Sequence, residues 1–202
     1  MKNSVMFAAL GALMLFGAGR VAADSPAVST ANGIPHSWQA FAGLSNSCTV
    51  GWSFTIGAQD VQVNAIGLFD NGADGMADSH PVGLWSSGGT LLAQAVVPPG
   101  TAGTLLGSYR YAPIAPLTLA AGQTYVVGAH FVSGTADSIL YLGTQSYDPR
   151  LSFLQSRQST LSSAATSLQF PDLSASVAQG VFGPNLILLG SSPVQLQSFD
   201  ID

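Results

Sequence analysis

Short apolar runs separated by turn residues recur along most of this chain and limit its fold more than any other feature. The runs are rich in β-branched and aromatic residues and have strand length: SCTVGWSFTI, DVQVNAIGLF, HPVGLWS, TLLAQAVV, LLGSYRYAPI, QTYVVGAHFV, SILYLG and VFGPNLILL. The segments between them, such as NGADG, PPGTAG and SGTAD, supply glycine, proline, asparagine and aspartate for turns. Helical periodicity is nearly absent after residue 23. The pattern predicts an all-β protein, an antiparallel β-sandwich of the jelly-roll or immunoglobulin-like kind.

Alternation within the runs predicts which side chains share a face. In TYVVGAHF one face carries Tyr125, Val127, Ala129 and Phe131, while the other carries Thr124, Val126, Gly128 and His130. Residues 152–169 are different, because they are rich in Ser and Gln with scattered apolar positions. We expect a surface loop or a short helix there.

The first 23 residues have the organisation of a cleavable signal peptide. Lys2 precedes the apolar stretch VMFAALGALMLFGAG, and Val21 and Ala23 stand at the small-residue positions before Asp24. The apolar stretch is shorter than the roughly 20 residues that cross a bilayer. We therefore expect removal of residues 1–23, a single domain over residues 24–202, and a secreted or periplasmic protein without a membrane anchor after cleavage.

The charge of the expected mature chain argues against polyanionic partners. After residue 23 the sequence has three arginines, no lysine, no glutamate and ten aspartates, a net charge of −7. Such a chain is not expected to bind nucleic acid or an anionic membrane. Charged residues make up 7% of the full chain, whereas about 25% is usual. Ser, Thr, Gln and Asn must therefore form most of the solvated surface.

Cys48 is the single cysteine, so an intramolecular disulfide is excluded. It begins the strand-like run CTVGWSFTI, and we expect its side chain to be buried as a small hydrophobe.

The ordered landmarks of residues 51–189 resemble an uncharacterised bacterial family, a domain of unknown function found in exported proteins, often ahead of a PEP-CTERM sorting tail. The landmarks are GWSF at 51–54, Asp70, Asp74-Gly75, His80, VGLW at 82–85, Leu119, GQTY at 122–125 and Phe182-Gly183. The resemblance implies an extracytoplasmic β-sandwich with no established activity. The sequence after LILLG carries no Pro-Glu-Pro motif and no terminal arginine cluster. We therefore expect a released or periplasmic protein and not one sorted through that tail.

The stretch DNGADGMADSHP between two of the runs could be a calcium loop or an elaborate turn. Hard oxygen ligands are available from Asp70, Asn71, Asp74 and Asp78. In the EF-hand pattern, Asp70 and Gly75 would fit the first and sixth positions, but Pro81 stands where the bidentate carboxylate is required. A different calcium loop remains an alternative to a turn in which Asp and Asn side chains bind backbone amides.

A structural role is the alternative that we favour for this loop, with Asp70, Asp74, Gly75 and His80 holding it. We expect the His80 imidazole to pin the loop to Asp70 or Asp74. A zinc site is weakly supported, because His36 and His130 are more than forty residues away and the sequence has no HxxxH or CxxC motif.

Motifs for catalysis are scarce. The sequence has no G-x-S-x-G elbow, and without glutamate a glycoside hydrolase would depend on aspartates alone. Binding is better supported, because several aromatic side chains could be exposed for stacking on sugar rings: Trp38, Tyr109, Tyr111 and Tyr147. Trp52 and Trp85 are expected to fill the core.

The lack of lysine also bears on assembly, because natural sheets protect exposed edges with lysine, proline and other charges. We expect covered edges, or an edge that pairs with another chain. The sequence thus predicts a non-catalytic binding or structural module of the cell envelope or extracellular matrix, associated with glycan or with itself, and with no cofactor. The alternatives are a secreted hydrolase using aspartates of the 70–80 loop and a calcium-stabilised adhesion domain.

Overall fold

A computed structural model describes residues 23–43, 45–175, 180 and 182–190. The predicted signal peptide lies outside this part except for Ala23. The described chain is almost entirely β, which confirms the predicted fold class. Its elements are β1 (Ser25–Pro26), β2 (Val28–Ser37), α1 (Trp38–Ala42), β3 (Cys48–Ile56), β4 (Val61–Phe69), β5 (His80–Ser86), β6 (Leu91–Val97), β7 (Thr104–Leu106), β8 (Tyr109–Leu119), β9 (Thr124–Phe131), β10 (Ser138–Tyr147), β11 (Leu151–Gln158), β12 (Leu173–Ser174) and β13 (Pro184–Leu188).

Two antiparallel sheets form the sandwich. One sheet has the order β1-β13-β4-β8-β7, and the other has the order β12-β11-β3-β9-β5-β6. We call them the five-stranded and the six-stranded sheet. The chain passes between the sheets from β3 to β4 and again from β4 to β5. Within the described residues, the single helix α1 is too short to cross a membrane.

The core lies between the inner faces of the two sheets. Trp52 and Phe54 of β3 are completely buried, as are Ile66 and Leu68 of β4. The indole Nε1 of Trp52 donates to the carbonyl of Pro184 at 2.8 Å, and this bond joins the two sheets. Burying a Phe, an Ile or a Leu contributes roughly 1.5–3 kcal/mol each, so the alternating apolar faces supply most of the driving force for folding.

Several sequence predictions are confirmed in this core. The four side chains predicted to share one face of β9 all lie in the core: Tyr125, Val127, Ala129 and Phe131. Cys48 is completely buried, and burial raises the pKa of its thiol to about 12. The thiol is therefore a core group and not a reactive one.

A separate two-stranded sheet, β10 with β2, and the helix α1 lie beside the main sheets. Ser37 caps α1, because its hydroxyl accepts a hydrogen bond from the amide of Ala40. The Trp38 ring is completely buried and stacks on Phe131, with ring centroids 4.9 Å apart. The helix thus contributes its first side chain to the core.

The expectation of a loop or helix over residues 152–169 is wrong for its first part. Residues 152–158 belong to strand β11, which pairs with β3 from Leu151 to Gln158. Pairing with β3 satisfies the backbone hydrogen bonds of this segment, although its Ser- and Gln-rich composition does not favour a strand. Residues 159–171 are irregular, and we call them the strap.

The strap lies on the outer face of the six-stranded sheet. The amides of Ser159 and Gln169 donate to the carbonyl and hydroxyl oxygens of Thr49, respectively. Phe170 packs beside Trp85, with ring centroids 6.0 Å apart. Trp85 is buried, as predicted, but beneath the strap on this outer face and outside the main core cluster.

Candidate functional site

Residues 70–79 connect β4 of the five-stranded sheet to β5 of the six-stranded sheet. A connection between sheets leaves the backbone ladder of both, so its amides need other partners. Two buried charged pairs supply them. We call them the Asp70–Arg110 pair and the His80–Asp137 pair.

The Asp70–Arg110 pair holds the first half of the loop. Arg110 Nε donates to Asp70 Oδ2 at 2.6 Å, and the two residues are 3% and 2% exposed. The same carboxylate accepts the amide of Gly75 at 3.1 Å. Arg110 also donates to the carbonyls of Ala73 and Gly103 at 3.1 and 3.2 Å. One buried ion pair therefore organises the loop and the segment that precedes β7.

The His80–Asp137 pair holds the second half. Asp137 accepts the amides of Ala77 and Asp78, both at 2.9 Å, and faces His80 Nε2 at 2.8 Å. The other ring nitrogen, Nδ1, lies 3.0 Å from the carbonyl oxygen of His130. Burial alone would raise the pKa of Asp137, but the hydrogen bonds from His80 and the two amides lower it.

The geometry also defines the charge of His80. Both ring nitrogens face oxygen acceptors, a carbonyl and an ionised carboxylate, so both carry a hydrogen. His80 is therefore a buried imidazolium paired with Asp137. Its 0% exposure keeps this pair away from solvent.

Glycine is required where the loop meets the segment 98–103. Gly75 has φ +117°, and a Cβ there would lie 2.8 Å from the carbonyl carbon of Gly100. Met76 and Gly100 exchange two backbone hydrogen bonds at 3.1 and 2.7 Å. This close approach explains the glycine in the family-like motif Asp74-Gly75.

The loop and its partners enclose an open groove of about 320 Å³, lined in part by Asp70, Asp74 and Asp137. Two of these carboxylates are buried and paired, whereas Asp74 is exposed. The prediction that His80 bonds to Asp70 or Asp74 is wrong, because Asp137 takes that position. Asp70 accepts the amide of Gly75, and His80 contacts Asp137, which accepts two loop amides; Asp74, the fourth residue expected to hold the loop, is exposed.

Three of the four predicted calcium ligands, Asp70, Asn71 and Asp74, line the same groove, but their other contacts and exposure do not form a metal site. Asp70 is committed to Arg110 and Gly75, Asn71 and Asp74 are exposed, and Asp78 is half-buried. Across the described part of the chain, no three His, Cys or Asp side chains form a cluster that could hold a metal ion. The fit of this loop to calcium is therefore poor.

The loop is also poorly arranged for hydrolysis. A general acid needs a carboxyl group with a raised pKa, but the pKa of Asp137 is lowered. The carboxylate of Asp70 is already occupied by a guanidinium and an amide. Both buried carboxylates serve the protein's own backbone and cations.

The predicted stacking aromatics are mostly not at the surface. Trp38, Tyr109 and Tyr111 are 0%, 3% and 3% exposed, so the expectation that they are exposed is wrong. Each packs against neighbouring rings, as Tyr109 does with Phe69 at 5.9 Å. A sugar ring cannot stack on a covered face.

Tyr147, the last residue of β10, is half-buried. Its ring stacks on Phe153 at a centroid distance of 5.3 Å, and burial raises the pKa of its hydroxyl to about 12. Its ring is therefore part of the aromatic packing around Trp52.

Arg110 and Asp137 are the loop-holding residues that the sequence predictions missed. Arg110 stands alone between two tyrosines in a strand run of a chain with very few bases, which is a signal for a buried ion pair. Asp137 lies in the turn segment SGTADS and offered no comparable signal. Its partner His80 is 57 residues away in sequence.

Comparison with known proteins adds a family but no activity. Searches of curated proteins and of solved structures find no match. One family profile, described as a domain of unknown function (DUF4082), matches residues 34–180. The match covers most of the chain and all of the loop with both charged pairs. The protein therefore belongs to the DUF4082 family.

Proposed function

We propose that this protein is exported and acts as a non-catalytic binding or structural module of the cell envelope or extracellular matrix. The main support is the direction of the charged groups at the 70–80 loop. Asp70 accepts a backbone amide, and His80 contacts both a backbone carbonyl and Asp137, so all three side chains are directed into the protein. Groups placed in this way stabilise a connection between two sheets and are not available to a substrate.

The arginines support a neutral or self-complementary partner. Arg110 is buried against Asp70, Arg150 pairs with Asp148 at 2.9 Å, and Arg157 donates to the carbonyl of Pro171. These are all the bases that follow residue 23. A nucleic acid or other polyanion would therefore meet no unengaged arginine or lysine side chain on the expected mature chain.

Strand β6 supports association through a sheet edge. The described border strands β1, β7 and β12 have two or three residues, whereas β6 has seven. Its sequence LLAQAVV has no charge, and three large apolar side chains are exposed: Leu91, Leu92 and Val96. A long, uncharged, apolar edge is the kind that pairs with another chain.

A lysine at this edge tests the assembly part of the proposal. We expect the exported protein to form dimers or larger species as its concentration rises. Val96, which is 53% exposed, should tolerate lysine, and Val96→Lys should shift the protein to monomer by charging the edge. Sedimentation or size-exclusion chromatography with light scattering measures this. Val132→Lys, at an exposed apolar position outside the strands, is the matched control and should behave as wild type.

A polysaccharide panel and a hydrolase screen on the same preparations complete the test. Binding without turnover supports the module. A wild-type protein that stays monomeric at every concentration and binds no polymer would contradict the proposal, both as self-association through β6 and as binding to a polysaccharide. Turnover abolished by Asp74→Asn, at the exposed carboxylate of the groove, would replace the proposal with the hydrolase alternative.

A further inference from the structure

A row of glycines crosses the outer face of the six-stranded sheet beneath the strap. Gly128 of β9 lies opposite Gly51 of β3 and Gly83 of β5. A Cβ on Gly83 would lie 2.5 Å from the Trp85 ring, and one on Gly128 would lie 3.4 Å from it. The indole of Trp85 therefore packs directly on the backbone of this row, because the glycines have no side chains to keep it away.

The strap covers the indole through three of its apolar side chains. Leu168 lies against Gly83, Pro171 against Gly128, and Phe170 against the Trp85 ring. Arg157 of β11 holds the end of the strap, since its Nε donates to the Pro171 carbonyl at 3.0 Å and its guanidinium lies 5.9 Å from the Phe170 ring. The remaining anchors are the bonds to Thr49 and a pair of backbone bonds between Ser162 and Ser47. None of these anchors belongs to the ladders that join the strands, so the strap can open locally while the sheets stay folded.

His130 is buried on the same outer face. It lies opposite Thr49 and two residues from Gly128, both of which the strap contacts, and it is 2% exposed. Neither ring nitrogen has a hydrogen-bond partner among the described residues. An imidazole without an acceptor is stable there only in its neutral form, because a buried charge needs a partner.

We propose that the strap is an acid-released cover: protonation of His130 in mild acid opens residues 159–171 and exposes the Trp85 ring on its glycine row.

The charged surroundings of His130 favour this response. Its backbone carbonyl accepts from the His80 imidazolium of β5, so the nearest charge is positive. Asp137, the carboxylate beside His80, is already engaged by that imidazole, and Asp172 directly follows the strap at an exposed position. On β3 the cross-strand neighbour is Thr49, the nearby Cys48 lies in the core, and the strap itself contains no ionisable side chain. Burial and then the positive charge of His80 lower the pKa of His130.

The sign of the effect follows from this environment. With the strap closed, the pKa of His130 is lowered, and with the strap open it approaches the ordinary value of about 6.5. Below that pH the open form binds a proton that the closed form does not. The closed form is therefore fully favoured above about pH 6.5 and loses stability as the pH falls.

Residue-resolved amide exchange on the exported protein, followed by NMR from pH 7.5 to 5.0, tests the proposal. After correction for the intrinsic exchange rate, the opening constant of the bonded strap amides should rise by up to about tenfold per pH unit below pH 6.5. The amides of Ser159, Ser162 and Gln169 report the strap. Amides of the β3–β9 ladder should keep their protection, since the sheets stay folded.

Three variants separate titration from packing. His130→Gln and His130→Asn should remove the pH slope whatever their protection at pH 7.5, whereas a merely structural role would lower protection equally at every pH. His36→Gln, at a half-buried histidine of β2, should keep the wild-type slope. A wild-type opening constant that does not change with pH, or a slope that persists in both His130 variants, would overturn the proposal. So would a direct titration showing His130 protonated at pH 6.5 while the strap remains closed, and this last measurement needs no variant.

Discussion

At the scale of single residues, the charges of this protein are few and most of the buried ones have a defined partner. Asp70 and Arg110 are both almost fully buried and share a bond of 2.6 Å. A buried pair adds little compared with apolar residues, but removing one partner leaves an uncompensated charge. The stability of the loop should therefore depend on the pair as a unit.

Asp70→Asn is the sharpest test at this scale. We expect it to reduce the free energy of unfolding by about 3–5 kcal/mol, because Arg110 then stays buried without a counter-charge. Urea denaturation measures the change. Asp74→Asn, at the exposed neighbour in the same loop, should change stability by less than about 0.5 kcal/mol. The double variant Asp70→Asn with Arg110→Met should recover part of the loss, and equal losses in the single and double variants would show that the two residues do not act as a pair.

At the scale of elements, the connection from β4 to β5 is shaped by the close approach of two backbone segments. Gly75 and Gly100 both have positive φ, at +117° and +66°. The two glycines differ in the room available for a side chain. A Cβ on Gly75 would meet the backbone of Gly100, whereas a Cβ on Gly100 would have no atom within 4 Å. Comparing alanine substitutions at these two glycines therefore separates the cost of backbone strain from the cost of a steric clash.

Gly75→Ala should therefore destabilise the protein more than Gly100→Ala. Positive φ alone costs roughly 1–2 kcal/mol for alanine, and the clash at Gly75 adds to it because the atom that must move belongs to the backbone. Thermal and urea unfolding of the two variants give the comparison. Equal losses would mean that the loop shifts freely and that the Met76–Gly100 bridge does not constrain it.

At the scale of the whole molecule, ionised carboxylates join segments that are distant in sequence. Asp137 ties the loop to the turn before β10. Asp148 binds Arg150 and Ser25, while Arg150 also donates to the carbonyl of Leu189. Burial acts to raise the pKa of both carboxyls, but it is outweighed: His80 and two amides lower that of Asp137, and Arg150 and Ser25 lower that of Asp148.

This arrangement predicts acid lability with a definite sign. Because both folded-state pKa values are lowered, the two carboxylates stabilise the fold fully above their ordinary value near 3.8. The stabilisation is lost as the pH falls below that value through the lowered pKa. The free energy of unfolding measured by urea should fall steeply between pH 4.5 and 2.5. Asp137→Asn should be less stable at pH 6 but show a shallower fall, and an unchanged slope would exclude Asp137 as a contributor.

Much of the fold, but less of the site, could be predicted from sequence. The alternation in TYVVGAHF assigns its core face correctly, and the buried state of Cys48 follows from its place in a strand run. The prediction that Tyr109 and Tyr111 are exposed was wrong because strand alternation shows which residues share a face, not whether that face is covered. The prediction for Trp38 was wrong because this residue begins a short helix whose packing the sequence pattern does not reveal. Residues 152–158 form a strand because they pair with β3. The Ser and Gln side chains of this segment give no sign of that pairing.

The sequence by itself determined the all-β architecture, the core face of β9 and the family, since each depends on local periodicity or on an ordered set of motifs. Only the tertiary structure decided that His80 pairs with Asp137, that Asp70 pairs with Arg110, and that the strap covers Trp85. Those contacts join residues 40 or more positions apart. They arise from the chain's passage between two sheets, and the order in which strands enter a sheet leaves no periodic trace in the sequence.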